Sequence, residues 1–249
     1  MPSFASYPSL KDKSVFVSGG GSGIGASIVE HFAAQGSKVG FVDINEAASA
    51  EVVKKTGAFF VKCDIRDVKA YQAAIAEVAA RHGTITALIN NAAHDERHKL
   101  EDVTAEFWDD RIAVNLRHAY FAIQAVAPGM KKAGGGSIVN FSSVSYHTMT
   151  PNLSVYQAAK AAVIGMTRGL ARDLGPDKIR LNAITPGWIM TQRQIDLWLT
   201  PEAEADLMKA QVLKEKVYPA DIARMALFLA SDDSRLISAQ NFVVDGGRM

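Results

Sequence analysis

A single α/β domain, one parallel sheet with helices on both faces, is predicted by three observations. Short β-rich runs alternate with helical segments along the 249-residue chain, the pattern of parallel strands joined by helical crossovers. A glycine-rich turn, Gly19-Gly-Gly-Ser-Gly-Ile-Gly25, joins the first run to the first helical segment. Gly23, Asp43, Asp64, Asn91 and Ser143 all fall where strands end, the edge at which such sheets bind ligands.

The first strand is Lys13–Ser18, and the helix beyond the glycines runs through Ala26–Gln35. Glycines there permit a tight turn and close backbone approach, while the helix N-terminus offers free N–H groups to a pyrophosphate. A dinucleotide site is therefore expected. Lys38–Asp43 is the second strand, ending in a carboxylate 24 residues after Gly19. At that spacing Asp43 accepts hydrogen bonds from ribose hydroxyls and repels a 2′-phosphate. No Lys or Arg follows in Ile44-Asn45, so NAD is favoured over NADP. Asp43 is also compatible with a capping role for the helix at Glu46.

Phe59–Asp64 is the third strand, Val68–His82 an amphipathic helix, and Ala87–Ala92 the fourth strand. Val103–Met130 reads as one long helical region, and Gly134-Gly-Gly136 as the turn into the fifth strand, Ser137–Ser142. Arg180–Pro186 and Ala239–Val244 complete the strands. Trp188–Tyr218 has helical patches without a strand pattern, and is expected to be a movable lid at about residues 188–218.

Composition narrows the ligand. With 27 basic and 26 acidic residues and a net charge of +1, nothing points to nucleic acid or an anionic membrane as partner. The lone Cys63 excludes an intrachain disulfide and a thiolate metal site, so no metal is expected and a reducing cytoplasm fits. The N-terminal ten residues lack a basic start and an apolar core, and no run is long enough to span a bilayer.

The reactive chemistry concentrates between Ser143 and Lys160. Tyr156 and Lys160 stand four apart in a helical stretch, which puts them on one face. An ammonium beside a phenol favours the phenolate and lowers its pKa toward working pH, making it a usable general base or acid. Ser143, just past a strand end, is placed to hold a substrate oxygen against it.

In register, these features resemble the short-chain dehydrogenase/reductase family over essentially the full length. The matches are residues 18–25, Asp64, Asn90-Asn-Ala92, Asn115, Ser143, Tyr156-x-x-x-Lys160 and Pro186-Gly187. The resemblance implies a Rossmann fold with strand order 3-2-1-4-5-6-7. It implies Asn115, Ser143, Tyr156 and Lys160 as catalytic residues. It implies cofactor contacts at Gly19, Ser22, Gly23, Ile24, Asp43, Asp64, Ile65, Asn91, Ala92, Pro186, Gly187, Ile189 and Thr191, with Tyr156 and Lys160. Ser18 stands where the family has threonine, and Ala93 where it commonly has glycine.

Substrate contacts are expected from His94, Asp95 and Arg97, from His147 and Asn152, and from Trp188, Gln192 and Trp198, alongside Ser143 and Tyr156. Polar groups mixed with tryptophan suit a polyhydroxylated ligand. Asp95-Glu-Arg-His-Lys-Leu100 and Val114-Asn-Leu-Arg-His118 resemble bacterial aldose 1-dehydrogenases of the D-xylose type, which implies a monosaccharide substrate, while the wider family resemblance implies a homotetramer. Tetramer contacts are expected from the C-terminal segment and the helix Asp221–Ala230. A ketone or 3-oxoacyl thioester reductase, a secondary alcohol or polyol dehydrogenase, and a non-enzymatic nucleotide sensor are the competing readings.

Overall fold

The computed structural model describes residues 4–249. Seven parallel strands form one sheet in the order β3-β2-β1-β4-β5-β6-β7, as expected. They are β1 Ser14–Ser18, β2 Lys38–Asp43, β3 Phe59–Lys62, β4 Ala87–Asn90, β5 Gly136–Phe141, β6 Ile179–Pro186 and β7 Asn241–Val244. The third and fourth strands stop two residues early, which releases Asp64, Asn91 and Ala92 from the ladder to line the cleft.

Side chains alternate across a strand, so a sheet buried on both faces must be apolar at every position. In β1, Val15 and Val17 join one core with Ile28, Val29 and Phe32, while Phe16 joins a second core with Tyr71, Ile75 and Val78. The first core is roofed by α1 (Gly23–Ala34), α2 (Glu46–Thr56) and α9 (Pro219–Ala230). The second is roofed by α3 (Val68–His82), α5 (His118–Lys132) and α6 (Ser154–Leu174). The helix expected to help form the tetramer, α9, buries Ile222, Ala223, Ala226, Leu227, Leu229 and Ala230 within the protomer and leaves Met225 and Phe228 partly buried.

The long helical region divides. α4 (Ala105–Ile112) and α5 are joined by a π-helical turn, Ala113–Arg117, with Asn115 at its centre. Such turns carry one extra residue per hydrogen-bonded ring. The segment expected to be a lid contains two short helices, α7 (Gln192–Trp198) and α8 (Pro201–Ala210), tied back by a bridge between Ile189 and Val217. Thr191 and Thr200 cap them, accepting from the N–H groups of Gln194 and Ala203. Asn45, not Asp43, caps α2, accepting from Ala48 N at 3.1 Å. Among the described residues no helix is long and apolar enough to cross a membrane.

Candidate active site

A cleft of about 910 Å³ opens along the carboxyl ends of the strands. Its floor begins with the glycine turn. Gly19 has φ +69°, and a Cβ there would lie 2.9 Å from Ala92 Cα; a Cβ on Gly25 would lie 1.8 Å from the Gly19 carbonyl oxygen. Only glycine lets α1 enter this close to the sheet. Asn91 secures the turn from the next strand, donating to the Ser18 and Gly19 carbonyls at 3.1 and 3.0 Å. Ser18, in the family's threonine position, accepts from Ala92 N at 3.1 Å. α1 has no side-chain cap and no acidic residue in its first turn, so nothing opposes an anion at its N-terminus.

One end of the cleft carries the two strand-ending carboxylates Asp43 and Asp64. Asp43 accepts from Gly21 N through Oδ2 and from Asn45 N through Oδ1, both at 2.9 Å. Each carboxylate oxygen retains a lone pair. Asp64 lies 2.6 Å from the Arg66 guanidinium, whose hydrogen bonds hold its carboxyl below the ordinary range. Lys62, opposite Asp43 in the sheet, pairs with Glu46 at 2.7 Å.

Further along stand Ser143, Tyr156 and Lys160, all lining the cleft. α6 carries the last two on one face. It is pinned to the end of β5 by Ser142, whose hydroxyl donates to the Lys160 carbonyl at 2.8 Å, and this sets Ser143 against the same space. Lys160 is buried, and its Nζ donates to the Phe141 carbonyl at 2.9 Å. Nζ lies 5.6 Å from the centre of the Tyr156 ring.

The electrostatics differ from the expected mutual stabilisation. Desolvation, followed by the Asp95 carboxylate, pushes the Tyr156 phenol above its ordinary pKa, while Ser143, Arg97 and Arg193 pull the other way. Burial pushes Lys160 down to about 7, opposed by Asp95. In this protein-walled cleft the loss of water outweighs pairing for both groups, because each charged form forfeits its hydration. Beneath them His118 is buried and neutral, its pKa driven to about 3 by burial and then by Lys160.

Asn115 does not line the cleft. It is 1% exposed, and its side chain accepts from His94 N at 2.9 Å and donates to the His94 and Arg111 carbonyls at 3.1 and 3.0 Å. It braces the loop that follows β4.

Of the expected substrate contacts, His94, Asp95, Arg97, Trp188, Gln192 and Trp198 line the cleft. His147 and Asn152 do not. The short helical turn Val144–Tyr146 turns His147 outward onto the Tyr146 ring, centroids 4.0 Å apart. Asn152 adopts φ +56° at an exposed turn, its carbonyl accepting from His98 N at 2.9 Å.

Arg193, Gln194 and Arg111 are among the cleft-wall residues that escaped the sequence reading. Arg193 bonds Asp95, and Gln194 donates to the same carboxylate at 3.1 Å. Arg111 approaches His94 Nδ1 at 2.6 Å, and the His94 pKa is lowered by burial first and then by Arg111. Only the basic or amide character of these side chains was visible in sequence, and their partners lie far away along it.

The chain matches the family described as enoyl-(acyl carrier protein) reductase over residues 19–248. It is 49% identical over 247 residues to a probable galactose dehydrogenase of Rhizobium meliloti, covering 97% of this chain and 96% of the relative. It is 48% identical over 250 residues to a D-xylose 1-dehydrogenase of Caulobacter vibrioides, covering 98% and 99%. A solved 7α-hydroxysteroid dehydrogenase complexed with NADH superposes with a TM-score of 0.89 at 31% identity, covering 96% of each chain. A blue fluorescent protein from a metagenomic library in complex with NADPH superposes with 0.88 at 32% identity, covering 96% and 99%.

Proposed function

This chain belongs to the short-chain dehydrogenase/reductase family, and we propose that it oxidises the anomeric hydroxyl of an aldose to an aldonolactone with NAD as cofactor. The observation that carries the reading is the convergence of Ser143, Tyr156 and Lys160 on the cleft that also holds the glycine turn and Asp43. The glycine cradle and the uncapped α1 terminus suit a pyrophosphate, the free lone pairs of Asp43 suit ribose hydroxyls, and Lys160 suits the second ribose. Bound NAD+ would accept the hydride that leaves C1.

The chain's own residues handle the proton. Ser143 Oγ holds the anomeric oxygen, and Tyr156 Oη, as phenolate, takes its proton while the C1 hydride departs and the C1–O bond becomes a carbonyl. The raised phenol pKa is suited to retaining that proton, while forming the phenolate needs positive charge. Lys160, poised at about 7, is the protein's source of it near neutrality. Asn115 acts through the backbone it braces. Closure of α7 and α8 excludes water, which strengthens each of these interactions.

The aldose class rests on polar cleft residues interleaved with Trp188 and Trp198, together with the two sugar dehydrogenases among the relatives. NAD over NADP rests on Asp43 and on the pairing of nearby Lys62 with Glu46. The reading includes a single cytoplasmic domain, consistent with the unpaired Cys63, and a homotetramer. The edge strand β7, with Val243 exposed, and the exposed Leu236 of the segment before it suit a surface for assembly. The test is NAD+ and NADP+ reduction against a panel of pentoses, hexoses and secondary alcohols, with the lactone followed by NMR. Turnover of ketones or 3-oxoacyl thioesters with NADPH, and none of aldoses, would replace the reading with a reductase.

A further inference from the structure

A carboxylate accepts hydrogen bonds only, through two oxygens with about two lone pairs each. Asp95 uses one side of each oxygen: Arg193 bonds Oδ1, and Gln194 Nε2 donates to Oδ2 at 3.1 Å. Gln194 is itself fixed by Trp188, whose indole N–H donates to its Oε1 at 2.9 Å. The Asp95 side chain lines the cleft yet is only 19% exposed. It is near enough to the chemistry for its charge to act on both Tyr156 and Lys160. A locked acceptor with unused lone pairs needs little reorganisation to receive hydroxyl donors.

We propose that Asp95, oriented by Arg193 and Gln194 of the lid, receives hydroxyls of the sugar away from its reacting carbon. It thereby sets the preference for a polyhydroxylated substrate over a plain alcohol. This rests on the aldose reading above. A negative acceptor selects neutral donors and repels acidic sugars, while Trp188 and Trp198 supply apolar surface in the same wall. A site built to bond a hydroxyl discriminates strongly against analogues lacking it, because its own polar groups are then left unpaired. Because two of the three residues lie on α7, substrate recognition and lid position share one carboxylate.

The experiment compares a preferred aldose with tetrahydropyran-2-ol, the same cyclic hemiacetal without other hydroxyls. Asp95→Asn is expected to raise KM for the aldose about 10- to 100-fold, the scale of a lost charge-assisted hydrogen bond, and to lower kcat/KM for the aldose at least about 10-fold more than for tetrahydropyran-2-ol, whose own change registers only the charge lost near Tyr156 and Lys160. Arg193→Gln, on the exposed side of α7, is expected to give a smaller loss with the same selectivity and protects the test against misfolding of the first variant. Equal losses on both substrates would make Asp95 a lid brace alone, and an unchanged aldose KM would remove it from recognition; either overturns the proposal. A wild-type enzyme inert toward every aldose would instead sink the functional reading itself.

Discussion

Lys160 is suspended from the end of β5: its Nζ donates to the Phe141 carbonyl at 2.9 Å while standing 5.6 Å from the centre of the Tyr156 ring. A buried ammonium with one neutral partner stays expensive to charge. Its pKa of about 7 against an ordinary 10.5 makes it a stability liability with a defined pH window. Below about 7 both folded and unfolded chains carry the proton, and the folded state bears the full penalty. Between about 7 and 10.5 the unfolded chain binds more protons, so stability rises with pH. Lys160→Met is expected to be more stable than wild type at pH 7, with the difference shrinking toward pH 10. Urea unfolding across that range measures it, and parallel pH profiles would refute the assignment.

Tyr156→Phe removes the only group proposed to take the proton. Turnover is expected to fall at least ~10³-fold, within the range attributed to a positioned acid or base, with NAD dissociation changed less than about 3-fold. Ser143→Ala should lose about 10²-fold, since binding of the reacting oxygen weakens while the base remains. Steady-state rates with calorimetric NAD titration check both, and a Phe variant retaining most of its kcat would end the assignment.

Asp43→Ser keeps a small polar side chain and removes the charge that disfavours a 2′-phosphate. The ratio of kcat/KM for NAD+ to that for NADP+ is expected to drop about 10- to 100-fold, matching roughly 1.5–3 kcal/mol for hydrogen bonds to a charged group. An unchanged ratio would move cofactor choice elsewhere.

Asn115→Ala deletes hydrogen bonds to His94 N, His94 O and Arg111 O, leaving buried polar groups unpaired. The expected loss is about 1–3 kcal/mol, which for a chain this long shifts Tm by roughly 2–4 °C per kcal/mol. kcat should fall with it while NAD affinity holds, because the brace supports the loop bearing Asp95. Calorimetry and kinetics on one preparation decide it.

What the sequence disclosed follows from how local each signal is. Gly19–Gly25, Tyr156 with Lys160, and the strand-ending Asp43 carry their chemistry within a turn or two, so their places in the sheet were legible. The link from Asp95 to Arg193 and Gln194 spans about a hundred positions, and no periodicity encodes such a contact. His147 and Asn152 were placed by proximity to α6, yet one short turn and one left-handed residue point them elsewhere. The Tyr156 and Lys160 pKa directions also stayed hidden, because desolvation is a property of the assembled walls and not of a four-residue spacing.

The π-helical turn Ala113–Arg117 makes residue count here a matter of angle. Removing one residue between α4 and α5 would let a continuous α-helix form, rotating everything on one side by about 100° relative to the other. Either the carboxamide of Asn115 would swing out of reach of His94, or α5 would lift its apolar stripe from the sheet. Single-residue deletions in this segment should therefore be far more damaging than substitutions, a discontinuity that a deletion scan scored by soluble yield and turnover would expose.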